Sequence, residues 1–434
     1  MIDRLPSQHP DRVAMANELH ARPFPSLTAP CRAVHIALMP PAKAAERDPE
    51  ADRAHLIDLL DRFGAQHPAP GADHYSGKMG RVWLKWERHT EFVTYSLFGE
   101  GVADTPFDGT TAALFPTDWL AAAPGQVVAA THVRIETAAD EAAAETAMIG
   151  RLAPYFDGES VALSHLADRS VLAAGDFRLH EDGMSRFALM AQPGLSPQRL
   201  GRIVQRLLEI ETYKSVSMLT LPVARRVSRR LAEIDRALAA LNRQVAEAES
   251  DDRAMLDALT QLSAEIESMA SDSAFRFGAG GAYAALVRQR IEVLREERVS
   301  GQQTFGEFMA RRYEPAMRTC ASAQQRLVEL STRAGRIANL LRTRVDVAMA
   351  DQNRALLESM DRRAALQLRL QETVEGLSVV AISYYGVSLL SYALTPVAHG
   401  AGVDKSAVVA LSIPIVVVAV WWMVRRIRRK VAGD

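Results

Sequence analysis

Two long apolar runs near the C-terminus dominate the hydrophobic pattern of the chain. Residues 376–394 (GLSVVAISYYGVSLLSYAL) and 407–424 (AVVALSIPIVVVAVWWMV) contain no charged residue. Each run is about as long as a helix needs to cross roughly 30 Å of hydrocarbon. The pattern therefore predicts a transmembrane hairpin, with the lipid bilayer as its partner. The alternative is a pair of buried core helices in a soluble protein.

The charges that flank the two runs predict how the hairpin is oriented. The connecting residues 395–406 hold one lysine, whereas the tail 425–434 begins with a basic cluster made of Arg425, Arg426, Arg428, Arg429 and Lys430. Because Lys and Arg accumulate on the cytoplasmic side of membrane helices, we expect this tail in the cytoplasm. Two spans then place both termini in the cytoplasm, at a bacterial inner membrane.

The first run carries a stripe of small and hydroxylated residues, whereas the second is almost entirely aliphatic. This hydroxyl stripe recurs at spacings of three and four and consists of Ser378, Ala381, Tyr385, Ser388 and Tyr392. Hydroxyls that face lipid are disfavoured, so the stripe is expected to face protein or water. Two interpretations stay open. The first runs of several subunits line a central pore, or the stripe packs the two runs together or joins a dimer.

Upstream of the hairpin, residues 316–395 contain no proline and follow a helical period. Apolar residues at heptad-like spacing begin at Leu327 and continue through Leu330, Ala334, Ile337, Leu341, Val345, Met349, Leu356, Met360, Ala364 and Leu368. Charges of alternating sign fill the other positions, which indicates a helix packed along one side only. We predict a coiled-coil or bundle stalk that joins subunits into a homo-oligomer and continues into the first run.

The middle of the chain, residues 196–375, is predicted to be a helical bundle that ends in this stalk. Helical periodicity covers residues 197–218, 222–248, 252–269, 283–299 and 305–313. The glycines within residues 271–281 predict a break between two of these helices.

Residues 31–195 alternate between strand and helix patterns. The strand candidates are residues 32–39, 81–87, 91–98, 126–135, 171–179 and 186–190, and the helix candidates are 51–63 and 138–154. Trp83 and Trp86 lie three apart in one strand, so they should face opposite sides of the sheet. We therefore predict an α+β fold, with a mixed or antiparallel sheet and helices in a cytoplasmic domain.

The first 30 residues are rich in Pro, His and Arg and form a separate N-terminal segment. Glu18, His20 and Arg22 make a compact polar group within it. Such a group binds an anion or a metal, or it forms a capped turn that pins the segment to a domain. Both interpretations stay open.

Composition and the absence of known motifs reduce the number of functions that the sequence supports. The formal net charge of -1 gives no support to nucleic-acid binding, and the two cysteines form neither a disulfide framework nor a metal motif. The N-terminus has no apolar secretory signal. No phosphate-binding loop, dinucleotide fingerprint or hydrolase motif is present, so we expect no enzyme, no cofactor and no metal site.

Several stretches resemble a bacterial family, domain of unknown function 3422, described as predicted membrane-anchored proteins. They are residues 9–24 (HPDRVAMANELHARPF), 275–320 and 340–385, and the first contains the signature residues Asn17, Glu18, His20, Arg22 and Pro23. The resemblance covers nearly the whole chain. It implies a membrane-anchored architecture, and it offers no catalytic residues to carry over to this chain.

The order of a cytoplasmic domain, a long helix, two spans and a basic tail is also similar to the CorA family of divalent-cation channels. That family carries a Gly-Met-Asn signature, commonly preceded by Tyr, at the outer end of its first span. This chain has Tyr385, Gly386, Val387 and Ser388 in mid-span. The Asn is absent, so the selectivity site of that family does not carry over.

These patterns lead to two functional hypotheses. The first is a CorA-like ion channel or transporter with a cytoplasmic regulatory domain, for which a divalent cation is a candidate ion. The second is a membrane-anchored scaffold with no transport activity. A third class, a membrane-tethered enzyme, would require titratable residues within the first 195 positions that converge only in three dimensions.

Overall fold

The computed structural model describes residues 9–18, 23–40, 47–245, 252–401 and 404–431. The chain divides into two compact units, Met1–Ile337 and Ala338–Asp434. The first unit contains a sheet and most of the helices. The second contains the greater part of the longest helix, and the last helix.

The described strands of the first unit form one mixed sheet. They are β1 (Cys31–Met39), β2 (His74–Met79), β3 (Val82–Arg88), β4 (Val93–Glu100), β5 (Gln126–Thr137), β6 (Ala162–Leu166), β7 (Val171–Gly175), β8 (Ser185–Ala191) and β9 (Glu297–Arg298). Their order is β2-β3-β4-β1-β5-β8-β7-β6-β9. Only the β5–β8 pair is parallel among these described neighbours. This confirms the predicted α+β class.

The sequence pattern located most strands but not all. Each predicted strand has a counterpart, and β3 pairs with β4 as the predicted hairpin. The pattern missed β2, β6 and β9. In β6 every residue is buried, including Ser164 and His165, so the alternation of polar and apolar positions that marks a half-exposed strand is lost.

The described helices are mostly in the second half of the chain. They are α1 (Arg12–Glu18), α2 (Pro49–Arg62), α3 (Thr117–Ala121), α4 (Glu141–Ala147), α5 (Pro197–Met218), α6 (Thr220–Val245), α7 (Asp252–Leu294), α8 (Phe305–Phe308), α9 (Glu314–Ala401) and α10 (Lys405–Val431). The predicted helix at 283–299 ends earlier, at Leu294, because Glu297–Arg298 pairs with β6 as an edge strand.

One face of the sheet packs on α2 and α3 through an apolar core. Leu56 and Leu59 of α2 are fully buried against Leu84 and Trp86 of β3. Trp83, on the other face of β3, keeps 47% of its surface exposed, as its spacing from Trp86 predicts. The alternation of β3 therefore separates the apolar core from the opposite face.

That opposite face is covered by α5, which in turn packs against α7. The side chain of Ser196 accepts a hydrogen bond from the Arg199 amide and so caps the start of α5. The rings of Tyr213 in α5 and Tyr283 in α7 stack with centroids 5.6 Å apart. A partly buried ion pair of 2.8 Å between Arg276 and Glu91 joins α7 to the β3–β4 turn.

The predicted helix break at residues 271–281 is wrong, because α7 runs through it without interruption. Glycine serves a different purpose at Gly280. A Cβ there would collide with Thr220 Oγ1 at the start of α6. The Thr220 hydroxyl donates to the carbonyl of Arg276, at 3.1 Å, so the two helices touch through a backbone contact that only glycine permits.

In the second unit, most of the apolar side chains along α9 are exposed. Met349, Leu356, Met360 and Leu368 continue the heptad-like pattern, and 59%, 61%, 65% and 60% of their surfaces are accessible. Within a single chain, this side of α9 has no apolar cover at these four positions.

We predict that Gly280→Ala destabilises the first unit by about 1–3 kcal/mol, because the added methyl group overpacks the contact with Thr220. The matched control is Gly278→Ala, since a Cβ at Gly278 meets nothing within 4 Å. That variant should be neutral or more stable, because alanine favours a helix over glycine by about 1 kcal/mol. Denaturant unfolding of both variants measures the difference. Equal effects would contradict the close contact.

Candidate functional site

The C-terminal end of α9 and the helix α10 pack against each other along one face of each. Ser383 and Ser412 are 6% and 4% exposed on these faces. A Cβ at Gly386 would lie 2.9 Å from Val416 Cγ1, so glycine allows close approach of the two helices. The contact therefore uses small residues, as membrane helix pairs commonly do.

The hydroxyl stripe lies on the other side of α9. Ala381 and Tyr385 are each two residues from Ser383, a rotation of about 200° around a helix. Tyr385 and Tyr392 are 67% and 78% exposed. Ser378 and Ala381 are also exposed, and Ser388 is half-buried. Within the single chain, the stripe does not form the contact between α9 and α10.

Two members of the stripe reach the edge of a groove between α9 and α10. Ser388 and Tyr392 line this groove, which has a volume of about 630 Å³, together with Ser383, Tyr384 and Ser391. Val409 and Ile413 form its α10 side. The structure thus divides the stripe, because Ser378, Ala381 and Tyr385 lie away from the groove.

Both helices of this hairpin are long and apolar enough to cross a membrane, by length and composition. At the end of α10, the guanidinium of Arg425 lies 4.9 Å from the ring centre of Trp421, and that of Arg426 lies 5.2 Å from the ring centre of Trp422. Aromatic and basic residues in this order are typical of the interface between lipid and water.

The N-terminal signature is only partly described. Asn17 and Glu18 lie in α1, and Pro23 is exposed, whereas His20 and Arg22 fall outside the described residues. The grouping of Glu18, His20 and Arg22 therefore stays a prediction. The residues that follow rest on α5, where the Leu27 amide donates to the carbonyl of Pro197 at 3.0 Å.

A second set of polar residues, which the sequence pattern did not bring together, converges in the first unit. Lys85 Nζ on β3 lies 3.0 Å from Glu87 Oε1 and donates to Gln205 Oε1 on α5 at 2.7 Å. Gln205 donates in turn to Glu209 at 2.9 Å. Arg290 on α7 closes the chain with an ion pair to Glu209. The network links the sheet to two helices.

A histidine lies beside this network. His35 on β1 is 5% exposed, and its two ring nitrogens lie 2.8 Å from Ser96 Oγ and 2.9 Å from Thr212 Oγ1. Burial lowers the pKa of His35 from 6.5 to about 3, aided by electrostatic repulsion from His89 and Lys85. The imidazole is therefore neutral at physiological pH.

The network and His35 line a cavity of about 310 Å³, which we call the polar cavity. Phe92 and Tyr213 contribute aromatic walls. The sequence around Lys85 and Glu87 does not by itself indicate a buried polar site. In RVWLKWE, Lys85 and Glu87 alternate with apolar residues as on any half-exposed strand, and only the position of α5 buries them.

The comparisons with known proteins identify a family and no more. A family model described as "Protein of unknown function (DUF3422)" matches residues 7–431. The chain belongs to this family. No curated protein matches it. The family match gives no support to the CorA resemblance, which stays a prediction. In this member of the family, the described residues contain no group of three or more His, Cys, Asp or Glu side chains suited to a metal ion.

We predict that the buried His35 makes the first unit less stable as the pH falls. The unfolded chain takes up a proton near pH 6.5, whereas folded His35 resists protonation down to about pH 3. The stabilising term is therefore complete above pH 6.5 and is lost below it, by up to about 1.4 kcal/mol per pH unit.

The variant His35→Asn should lose less stability than the wild type between pH 7 and pH 4.5, by about 2–3 kcal/mol. Denaturant unfolding followed by tryptophan fluorescence measures this difference. Equal slopes for His35→Asn and the wild type would contradict the buried, neutral imidazole.

Proposed function

We propose that the protein is an oligomeric two-pass protein of a bacterial inner membrane that conducts an ion along a path lined by its first spans. In this proposal the end of α9 and helix α10 cross the bilayer, and both termini are cytoplasmic. The observation that supports it best is the side on which the hydroxyl stripe lies. Ser378, Ala381 and Tyr385 face away from α10, so another subunit is needed to cover this part of the stripe.

The chemistry of the two helices favours this arrangement. Tyr385 and Tyr392 would expose hydroxyls to lipid in a monomer, which is unfavourable where no water can solvate them. Contact between first spans removes the stripe from lipid and leaves the aliphatic α10 outside. The exposed apolar residues along α9, such as Leu356 and Met360, would be covered by the same association.

The proposed outer end carries one acidic and one basic residue per chain, Asp404 and Lys405, and the carboxylate is the candidate contact for a transported cation. Asp404, just before α10, accepts a hydrogen bond from Ser406 at 2.5 Å. In an oligomer, one carboxylate per subunit forms a ring, and such rings attract cations at channel mouths. We propose a divalent cation on this ground and on the resemblance to the CorA family.

A membrane-anchored scaffold is the second candidate, and a hydrogen bond made by Ser378 of the stripe favours it. The hydroxyl of Ser378 donates to the carbonyl of Val374 at 2.8 Å, within its own helix. A serine satisfied in this way needs no water, so the stripe can also serve as a dry contact between subunits. In that case the hairpin holds the sheet unit at the membrane for a protein partner.

The mass of the detergent-solubilised complex should correspond to a closed ring of at least about four subunits, because a monomer or a dimer leaves no room for a central path lined by first spans. Light scattering coupled to size exclusion measures it, with the detergent contribution subtracted. A monomer or a dimer would eliminate the ion path and leave the scaffold.

The double variant Tyr385→Leu with Ser388→Leu should abolish divalent-cation flux in liposomes, because it removes the hydroxyls nearest the middle of the path. The neighbouring Tyr384 offers a matched control, since it is 70% exposed but lies off the stripe. Tyr384→Leu should keep the wild-type flux. Wild-type protein without measurable flux, in complexes of the predicted mass, would favour the scaffold instead.

A further inference from the structure

We propose that the polar cavity of the first unit is a binding site for a free α-amino acid or another small zwitterion of the same charge pattern. The cavity lies between β1, β3 and β4 on one side and α5 and α7 on the other. The inference rests on the first unit alone and does not depend on ion conduction.

The first support is the polarity of a buried sheet face. On the core side, β1, β3 and β4 present apolar residues. On the α5 side they present His35, Lys85, Thr94 and Ser96, each no more than 5% exposed. Burying such groups costs free energy unless they are paired, and apolar residues of similar size would often give an equal or more stable fold. A fold that needed only to hold α5 would not require this chemistry.

The second support is the size of the cavity beside the network. Protein interiors are close-packed, and a purely structural ion-pair network leaves little room around it. The polar cavity has about 310 Å³, the volume of roughly ten water molecules. This lies at the lower end of the range of small-molecule sites, which is about 300–1,000 Å³. The space suits a molecule the size of an amino acid.

The charge balance of the walls selects the ligand class. Apart from the two histidines of the walls, His35 and His89, Lys85 and Arg290 contribute two positive charges, and Glu87 and Glu209 contribute two negative charges. A ligand with a net charge would leave that charge uncompensated in a partly buried site. A zwitterion adds none. Its carboxylate can bind beside Lys85 or Arg290, and its ammonium beside Glu87 or Glu209.

The walls also offer a place for a side chain and a route of entry. Phe92 and Tyr213 are 1% and 8% exposed and form an apolar, aromatic wall suited to an apolar side chain. At the rim, Phe24 is 46% exposed, and the side chains of Arg290 and Glu209 are 27% and 18% exposed. The cavity is thus deepest at Lys85 and His35 and opens past the outer ion pair.

The test is a thermal-shift screen of the full-length, detergent-solubilised protein against the twenty standard L-amino acids, followed by calorimetric titration of each amino acid that stabilises it. We expect at least one neutral amino acid with an apolar side chain to raise the unfolding temperature and to bind with a measurable Kd. Absence of binding by every amino acid would overturn the proposal. Stabilisation only by amino acids that carry a net charge, such as lysine or glutamate, would also overturn it.

Two analogues of the best ligand test the zwitterion directly. The N-acetyl derivative lacks the ammonium, and the amide derivative lacks the carboxylate. Each should bind at least tenfold more weakly than the parent amino acid. An analogue that binds as well as the parent would show that the missing charge is not recognised and would overturn the assignment.

The double variant Lys85→Met with Glu87→Gln removes both charges of the inner pair together, so no unpaired charge is left buried. It should fold and bind the amino acid at least tenfold more weakly. The matched control is Lys214→Met with Glu211→Gln. That pair is also largely removed from water, with Lys214 partly buried and Glu211 buried, its atoms lie 2.8 Å apart, and it lies on α5 outside the polar cavity. The control should keep the wild-type Kd, and equal losses in both double variants would contradict the site.

Discussion

The burial of a polar sheet face beneath α5 is the constraint on which the first unit depends. Removing Lys85 and Glu87 from water costs several kcal/mol per ion, and their mutual contact and Gln205 offset that cost only while α5 stays in place. Apolar residues on the same helix, including Ile203, Val204 and Leu207, are fully buried and keep it there. One helix therefore both completes the core and closes the polar cavity.

Much of this fold could be predicted from periodicity, because local signals coincide with tertiary burial along most elements. The start of α5 follows directly from Ser196 and Pro197, a side-chain cap and a proline at the first turn. The pattern failed where tertiary contact overrides local preference. From the local sequence alone, Gly280 and its neighbouring glycines predict a helix break, but Gly280 is the point where α7 contacts Thr220. Similarly, β6 shows no alternation of polar and apolar residues in its sequence, because both of its faces are covered.

The two candidate sites, the hydroxyl stripe and the polar cavity, also differ in how far they can be predicted from the sequence. The hydroxyl stripe is a property of one helix, so its spacing could be recognised in the sequence, although its direction relative to α10 could not. The polar cavity depends on residues separated by up to about 250 positions, from His35 on β1 to Arg290 on α7. No local pattern links them, and each polar residue alone is typical of a solvent-exposed surface.

Cysteine cross-linking in membranes tests the central claim, that the stripe is a contact between subunits. The native Cys31 and Cys320 are buried, and burial raises the pKa of both thiols, that of Cys31 to about 12, so their background reaction should be low. With an oxidant, Ala381→Cys should form covalent dimers, whereas Val418→Cys on the exposed side of α10 should not. Dimers through Val418→Cys without any through Ala381→Cys would contradict the account.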